Sequence, residues 1–363
     1  MILDKLQKLA ALSFCTQRTT DQLEDAVDAI TLCAAEKHII PAPIIIEKQL
    51  ARFTGCAVES IGLERTLESL FITEATFKPT KLLPFGRSYV FGGGAVNCNK
   101  EYFRAKIYPS SKTSYQKIKS AILISNSNSE IYYGDWFLDE LPAAKIDFDS
   151  SQSIAFRKPD GWQHSREYLD IFNIGINYGF RGIVENLYLL TDSSQNSYKQ
   201  NRYQSLRQEL EQYNFQDANF SGTYILRGSN TQGAPRVLDN ENELIAHLKK
   251  QNFNILDLEK MSAKEIVKRL WNTPMVIGVE GSALTHAILP LRKFGSMLVI
   301  QSPKRLSLAL KGILDARNNP FGMYVCKPSL KNSHCFSVDS FSDIDFLIEK
   351  LRVESYKRYI NSL

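Results

Sequence analysis

The sequence lacks most of the signatures that settle a function at sight. It has no G-x-G-x-x-G, no Walker A loop and no G-x-S-x-G elbow. The missing glycine fingerprint removes the support for a nicotinamide dehydrogenase. Its five histidines show no H-E-x-x-H spacing and its six cysteines no C-x-x-C, so a zinc site is not indicated. Cys15, Cys33, Cys56, Cys98, Cys326 and Cys335 are scattered without a framework, which reads as reduced thiols of a cytosolic protein. No apolar run approaches the ~18–20 residues of a membrane span, and Asp4, Lys5 and Lys8 interrupt any signal peptide. Charge of one sign is also scarce. Forty-four Lys and Arg stand against 39 Asp and Glu, a net +5. Such a balance carries no polybasic footprint and argues against a nucleic-acid partner, while a small surplus fits an anionic small ligand.

What is present is globular. Hydrophobic residues make up 44% and charged residues 23% of 363, which excludes disorder and collagen-like repeats and allows two domains or one large one. Ile2, Leu3, Leu6, Leu9 and Leu12 recur at helical spacing, so an amphipathic helix opens the chain. It would pack on the protein body or rest on a membrane surface. A second helical pattern runs over about 20–36, and then Pro41 and Pro43 forbid a helix. Strand candidates follow at 70–77, 88–91 and 121–125, and Gly92–Gly94 reads as a hairpin turn.

From about residue 180 the pattern becomes regular. Strand candidates at 184–190, 223–226, 254–258, 275–279, 297–301 and 323–326 alternate with helical runs at 198–213, 241–251, 263–271, 283–289 and 306–318. Asn240 with Glu243 and Ser262 with Glu265 have capping-box spacing, and a terminal helix over 340–360 has Ser342 as its candidate cap. Alternation with short links predicts an α/β protein with a doubly wound parallel sheet, which binds ligands at the carboxyl ends of its strands.

Three constellations could carry chemistry. In the first, the strand Met275–Val279 ends in Glu280-Gly281-Ser282, with His286 on the run that follows. Gly281 lets a ligand approach the backbone; Ser282 and amides at a helix start suit an anion, and Glu280 could accept from ribose hydroxyls. The same residues also make an ordinary β-α turn with Ser282 as a cap. In the second, Arg227 at a strand end and Arg236 across a Gly- and Pro-containing loop could neutralise a diphosphate bidentately, or be two solvated arginines. In the third, Tyr132 to Pro142, Asp135 and Asp139 are four apart on one helix face that Pro142 should end or kink. A carboxylate there could face a ligand held by the second half, or merely cap. Asp147-Phe-Asp149 and Asp343-Ile-Asp345 have a metal-binding form that chance often produces, and no metal ligand is assigned.

Taken together, these segments resemble bacterial members of glycosyltransferase family 61, met in polysaccharide and capsule gene clusters. The resemblance rests on Tyr133 to Pro142, Arg227-Gly228, Arg236 to Glu243, Gly278 to His286 and Gln301 to Arg305, and it covers about 85–328. It implies a GT-B architecture, two Rossmann-like domains facing a cleft. These would be an acceptor-side domain over 1–175, a nucleotide-sugar-binding domain over 176–335 and a helix over 336–363 packing back on the body. It implies an inverting transfer from a nucleotide-sugar donor to a glycan or lipid-linked glycan acceptor, at the cytoplasmic side and at most peripheral to the membrane. No cofactor beyond the co-substrate and no strict metal requirement follow. Arg227, Arg236, Glu280, Gly281, Ser282 and His286 would bind the donor, and Asp135, or failing it Asp139, would take the acceptor proton. One departure stands out: many relatives have Gly-His-Trp where this chain has Gly134-Asp135-Trp136. The alternative is therefore a catalytically degenerate transferase that acts as a binding or scaffold module. Donor sugar, acceptor linkage and oligomeric state are left open by the residues.

Overall fold

The computed structural model describes residues 28–96, 101–103, 116–126, 128–228, 236–329 and 335–363. The opening helix lies outside the described residues, as do Cys15 and Cys98. The fold is mixed α/β, built on an eight-stranded and a six-stranded sheet, with smaller sheets of three and two strands.

All six strands of the second sheet run parallel, in the order Phe253–Leu256, Gly222–Ile225, Met275–Val279, Ser296–Gln301, Phe321–Val325, Ile44–Ile45. Met275–Val279, Ser296–Gln301 and Phe321–Val325 are buried along their whole length, as continuous apolar runs demand when both faces are covered. One face packs the helices Ser197–Glu211, Ala263–Leu270 and Ala309–Ala316 through Leu206, Ile266 and Ile313. The other packs Glu241–Lys250 and the terminal helix Phe341–Ile360 through Leu244, Leu248, Ile344 and Leu347.

The eight-stranded sheet is mixed. Gly182–Thr191 lies at its centre, parallel to Gln116–Leu123 and antiparallel to Thr80–Phe91. This strand begins the regular alternation in the sequence, yet it belongs to the first sheet. Its burial alternates along its length, unlike the fully buried strands of the second sheet. Conversely, Ile44–Ile45 crosses to the edge of the second sheet, where Gln49 binds the Val325 amide at 3.1 Å and Asp343 at 3.0 Å. The helical pattern over 20–36 is overturned within the described residues. Ile30–Cys33 and Glu36–Ile39 are strands, each fixed by an antiparallel partner that propensity alone does not reveal. The hairpin at Gly92–Gly94 is as expected, joining Thr80–Phe91 to Gly94–Val96.

The helix starts are partly corrected. Ser262 caps its helix, accepting from the Glu265 amide at 3.2 Å. Asn240 makes no cap bond and instead clamps both backbone groups of Val338. Ser340, not Ser342, caps the terminal helix through the Asp343 amide. Asp343 and Asp345 are bound by Gln49 and by His247 with Gln251.

Candidate functional site

Parallel strands deliver their loops to one edge. Ile225, Val279 and Gln301 end adjacent strands, and the residues that follow them, Arg227, Glu280-Gly281-Ser282 and Arg305, gather on one side of the sheet. They line a cleft of about 1580 Å³, closed on its other walls by Tyr132–Asp135, Gly161–His164 and the segment Ala57–Ser69. Asp135, Arg227, Arg236, Glu280, Gly281, Ser282 and His286 all border this space. Asp139 does not.

Glu280 is the pivot of the charged wall. It is 8% exposed, and its carboxylate pairs with Arg236 and lies 3.4 Å from the Arg305 Nε. Arg227 stands on the other side of the turn, against Gly281. Three guanidiniums therefore surround one carboxylate. The Nε atoms of Arg227, Arg236 and Arg305 are buried and hydrogen-bonded to nothing in the protein. Burial, then the fields of Arg236 and Arg305, lower Arg227 to about 10, so it stays charged at neutral pH. A buried donor left unmade costs roughly 1–3 kcal/mol, and an anion in the cleft would relieve that cost. In the sequence Arg305 ends the Gln301-to-Arg305 segment of the family resemblance, and with Lys304 it reads either as solvated charge or as a contact to an anionic acceptor or lipid diphosphate, not as a donor ligand.

The turn depends on Gly281. Its φ of 145° and ψ of 178° lie in a region open essentially to glycine, and a Cβ there would run into the Arg227 guanidinium. Gly281→Ala is expected to lose about 1–3 kcal/mol of stability by urea unfolding. It should also weaken anion binding, because Arg227 must move. After the turn the chain forms a 3-10 helix, Ser282–Ala287, not the α-helix expected over 283–289. Its short, poorly aligned amides offer little dipole. Ser282 caps nothing, so its hydroxyl is available to the cleft.

The Gly-Asp-Trp segment meets this turn directly. A Cβ on Gly134 would sit 3.2 Å from the Ser282 Oγ and 3.4 Å from Thr285. A larger residue there would press on both side chains, and the close approach sets Asp135 beside the Glu280-Gly281-Ser282 turn. Trp136, Phe137 and Leu141 belong to the same apolar cluster as the parallel sheet, which fixes the segment rigidly. Trp136–Glu140 forms a π-turn, a feature frequent at functional sites. The helix does not end at Pro142 but runs to Ala143. Proline removes the amide that would bond the Leu138 carbonyl, and the Tyr203 hydroxyl donates to that carbonyl instead.

The two aspartates play different parts. Burial and the Asp139 charge push the Asp135 carboxyl up to about 6. Asp139 is held by Lys199, which is fully buried, and by Asn126 at 3.2 Å. Lys199 also donates to the Asp192 carbonyl at 3.0 Å, and Asp192 grips Arg202 through both oxygens at 2.8 Å.

His286 is 4% exposed, with Nδ1 hydrogen-bonded to the Tyr168 hydroxyl at 2.8 Å and its ring stacked on Tyr133 at 4.9 Å. Burial and the nearby His164 hold it well below its usual range, so it is neutral. It braces the turn against Tyr133 and Tyr168 and borders the cleft. His164, which no spacing singles out, lines the cleft edge-on to His286 at 5.0 Å and bonds the Met261 carbonyl at 2.9 Å. Among the described residues no group of three or more His, Cys, Asp or Glu is placed to hold a metal ion, no disulfide joins Cys33, Cys56, Cys326 or Cys335, and no helix is long and apolar enough to cross a membrane.

No curated protein matches the sequence. Among solved structures, a metal-soaked flavodiiron core from Synechocystis sp. PCC6803 aligns over 51% of this chain and 44% of that one, at 10% identity. With a TM-score of 0.25, and with the chain spanning less than half of that protein's length, this likeness carries no argument. The family model described as Glycosyltransferase 61 matches residues 133–296, a stretch that contains the Gly-Asp-Trp segment, Arg227, Arg236 and the Glu280-Gly281-Ser282 turn. That match supports membership of glycosyltransferase family 61.

Proposed function

We propose that the protein is an inverting glycosyltransferase that takes a sugar from a nucleotide-sugar and passes it to a glycan or lipid-linked glycan acceptor in surface or capsular polysaccharide synthesis. The arrangement of two sheets around one cleft is read as GT-B, with the parallel sheet, helix-covered on both faces, as the donor half. Its place of work is the cytoplasmic side of the membrane. The observation that carries this reading is the set of arginines at the carboxyl edge of that sheet whose buried Nε atoms have no hydrogen-bond partner, with the half-buried Asp135 carboxylate lining the same cleft.

The chemistry follows from those two walls. Arg227 and Arg236 hold the diphosphate and neutralise the charge that grows on it as the sugar leaves, which requires no reorganisation at the moment of reaction. The Asp135 carboxylate accepts the proton of the acceptor hydroxyl. The freed oxygen lone pair attacks C1 from the face opposite the diphosphate, the C1–O bond to phosphate breaks, and the anomeric centre inverts. Ser282 lies between the two walls, where it can donate to the donor. Here a carboxyl titrating near neutrality takes the part of the histidine in many relatives, and its raised proton affinity favours a working base over a degenerate scaffold.

A thermal-shift screen of nucleotide-sugars tests the reading. A true donor at about 100 times its Kd should add about 2.7 kcal/mol of stability by mass action. The same donor should be slowly hydrolysed when no acceptor is present. Stabilisation by none of the common uridine, guanosine, adenosine or thymidine diphosphate sugars, with no hydrolysis, would retire it.

A further inference from the structure

Arg305 lies on a third loop of the same edge, and that loop is fastened from outside the parallel sheet. The segment 54–57 runs along 303–306 and exchanges backbone hydrogen bonds with it. Thr54 donates to Pro303 at 2.8 Å, Leu306 to Gly55 at 2.9 Å and Ala57 to Leu306 at 2.8 Å. This lacing holds Arg305 at the cleft, its side chain 43% exposed and only its Nε buried, while Lys304 beside it is exposed. Its Nε is buried, with only the Glu280 carboxylate near it, at 3.4 Å. The second partner of that carboxylate, Arg236, reaches it from a different loop. Glu280 thus sits between two arginines that border the cleft, in the position an anionic ligand would occupy electrostatically.

We infer that Arg305 is a third anion-binding arm of the donor site, and that Glu280 is an internal counter-ion which the phosphates of the donor displace from Arg236 and Arg305. The inference rests on the donor reading above and goes beyond it. It gives a donor-binding role to a residue that no sequence pattern assigns to the donor, and it moves Glu280 from a ribose contact to a keeper of the empty site. Three like charges packed at one edge would repel one another without a ligand. One fixed carboxylate relieves that repulsion and holds the guanidiniums in place, and the three arginines still outnumber it, which suits a diphosphate. The carboxylate also sets a threshold, since an anion too weakly charged does not outcompete it.

Titration of the full-length protein with inorganic pyrophosphate and with uridine diphosphate, followed by calorimetry and thermal unfolding, tests this. Arg305→Ala should weaken pyrophosphate roughly 10- to 100-fold, the loss of one charge-assisted contact, with an unfolding temperature near that of the wild type. Glu280→Gln, which keeps the shape, should lower the melting temperature of the empty protein, tighten pyrophosphate and enlarge the rise in melting temperature that pyrophosphate gives. Unchanged pyrophosphate affinity in Arg305→Ala would overturn the third arm. Weaker uridine diphosphate binding with unchanged pyrophosphate binding in Glu280→Gln would overturn the counter-ion and return Glu280 to the ribose. If Arg227→Ala abolishes binding while Arg305→Ala does not, the donor reading stands and this inference alone falls. If the wild type binds neither probe, both fall.

Discussion

Arg236→Ala is expected to abolish turnover of a nucleotide-sugar, lowering kcat/KM at least 1,000-fold, about what losing one pre-placed electrostatic donor costs at the upper end. Two losses combine. The guanidinium is one of the groups that meet the diphosphate, in a cleft wall where its charge is poorly screened. Its removal also leaves the buried Glu280 carboxylate with the looser Arg305 contact alone. A buried ion pair broken from one side costs about 3–5 kcal/mol. The two effects separate experimentally. Uridine diphosphate binding by calorimetry reports the first, and urea unfolding without ligand reports the second. Arg236→Lys should restore part of the stability and little of the turnover, because an ammonium cannot reproduce the planar fork. Wild-type affinity after the loss of Arg236 would end its diphosphate role.

The sequence makes the parallel sheet legible because its strands are buried on both faces. Such strands appear as unbroken apolar runs, and Met275–Val279 is bounded to the residue. The first sheet is harder to read. Gly182–Thr191 is plainly a strand, but pattern alone does not say which sheet receives it, and its partners Gln116–Leu123 and Thr80–Phe91 precede it with irregular spacing. The same limit governs the site. Arg227 and the glycine turn are legible because each follows a strand whose end must lie at the ligand edge, and Arg236 because its loop starts from the same strand end as Arg227. Arg305 follows such a strand too, after three residues of loop. The distant segment 54–57, which pattern does not pair with it, fastens that loop at the cleft. Asp135 and Asp139 share a helix face by spacing. What distinguishes them is a lysine sixty residues away, Lys199, which binds one and leaves the other to the cleft.

Asp135→Asn is expected to lower kcat about 100- to 10,000-fold, the range for a lost general base, while leaving uridine diphosphate affinity unchanged. The amide keeps the shape and cannot take a proton. In the wild type, activity requires the ionised carboxylate, so the acidic limb of kcat/KM should fall with an apparent pKa near 6. Asp135→Asn should flatten that limb in whatever rate remains. Stability should move the other way. The folded protein holds this proton more tightly than the unfolded chain, whose carboxyl titrates at about 3.9. Ionisation therefore destabilises the fold. The cost is absent below pH ~4, grows as pH rises and is complete above the folded value near 6. Because the group is partly open to the cleft, solvent screening reduces the cost to about 1–2 kcal/mol. Asp135→Asn should thus be the more stable protein at pH 7.5 and lose that advantage at pH 4. Unfolding curves at the two pH values check this independently of any substrate. A variant with equal stability at both and undiminished transfer would remove Asp135 from the chemistry. A variant stabilised at pH 7.5 but inactive, with donor affinity intact, ties the strained carboxylate to proton removal from the acceptor, because the energy spent on holding it in the cleft is recovered only in the reaction.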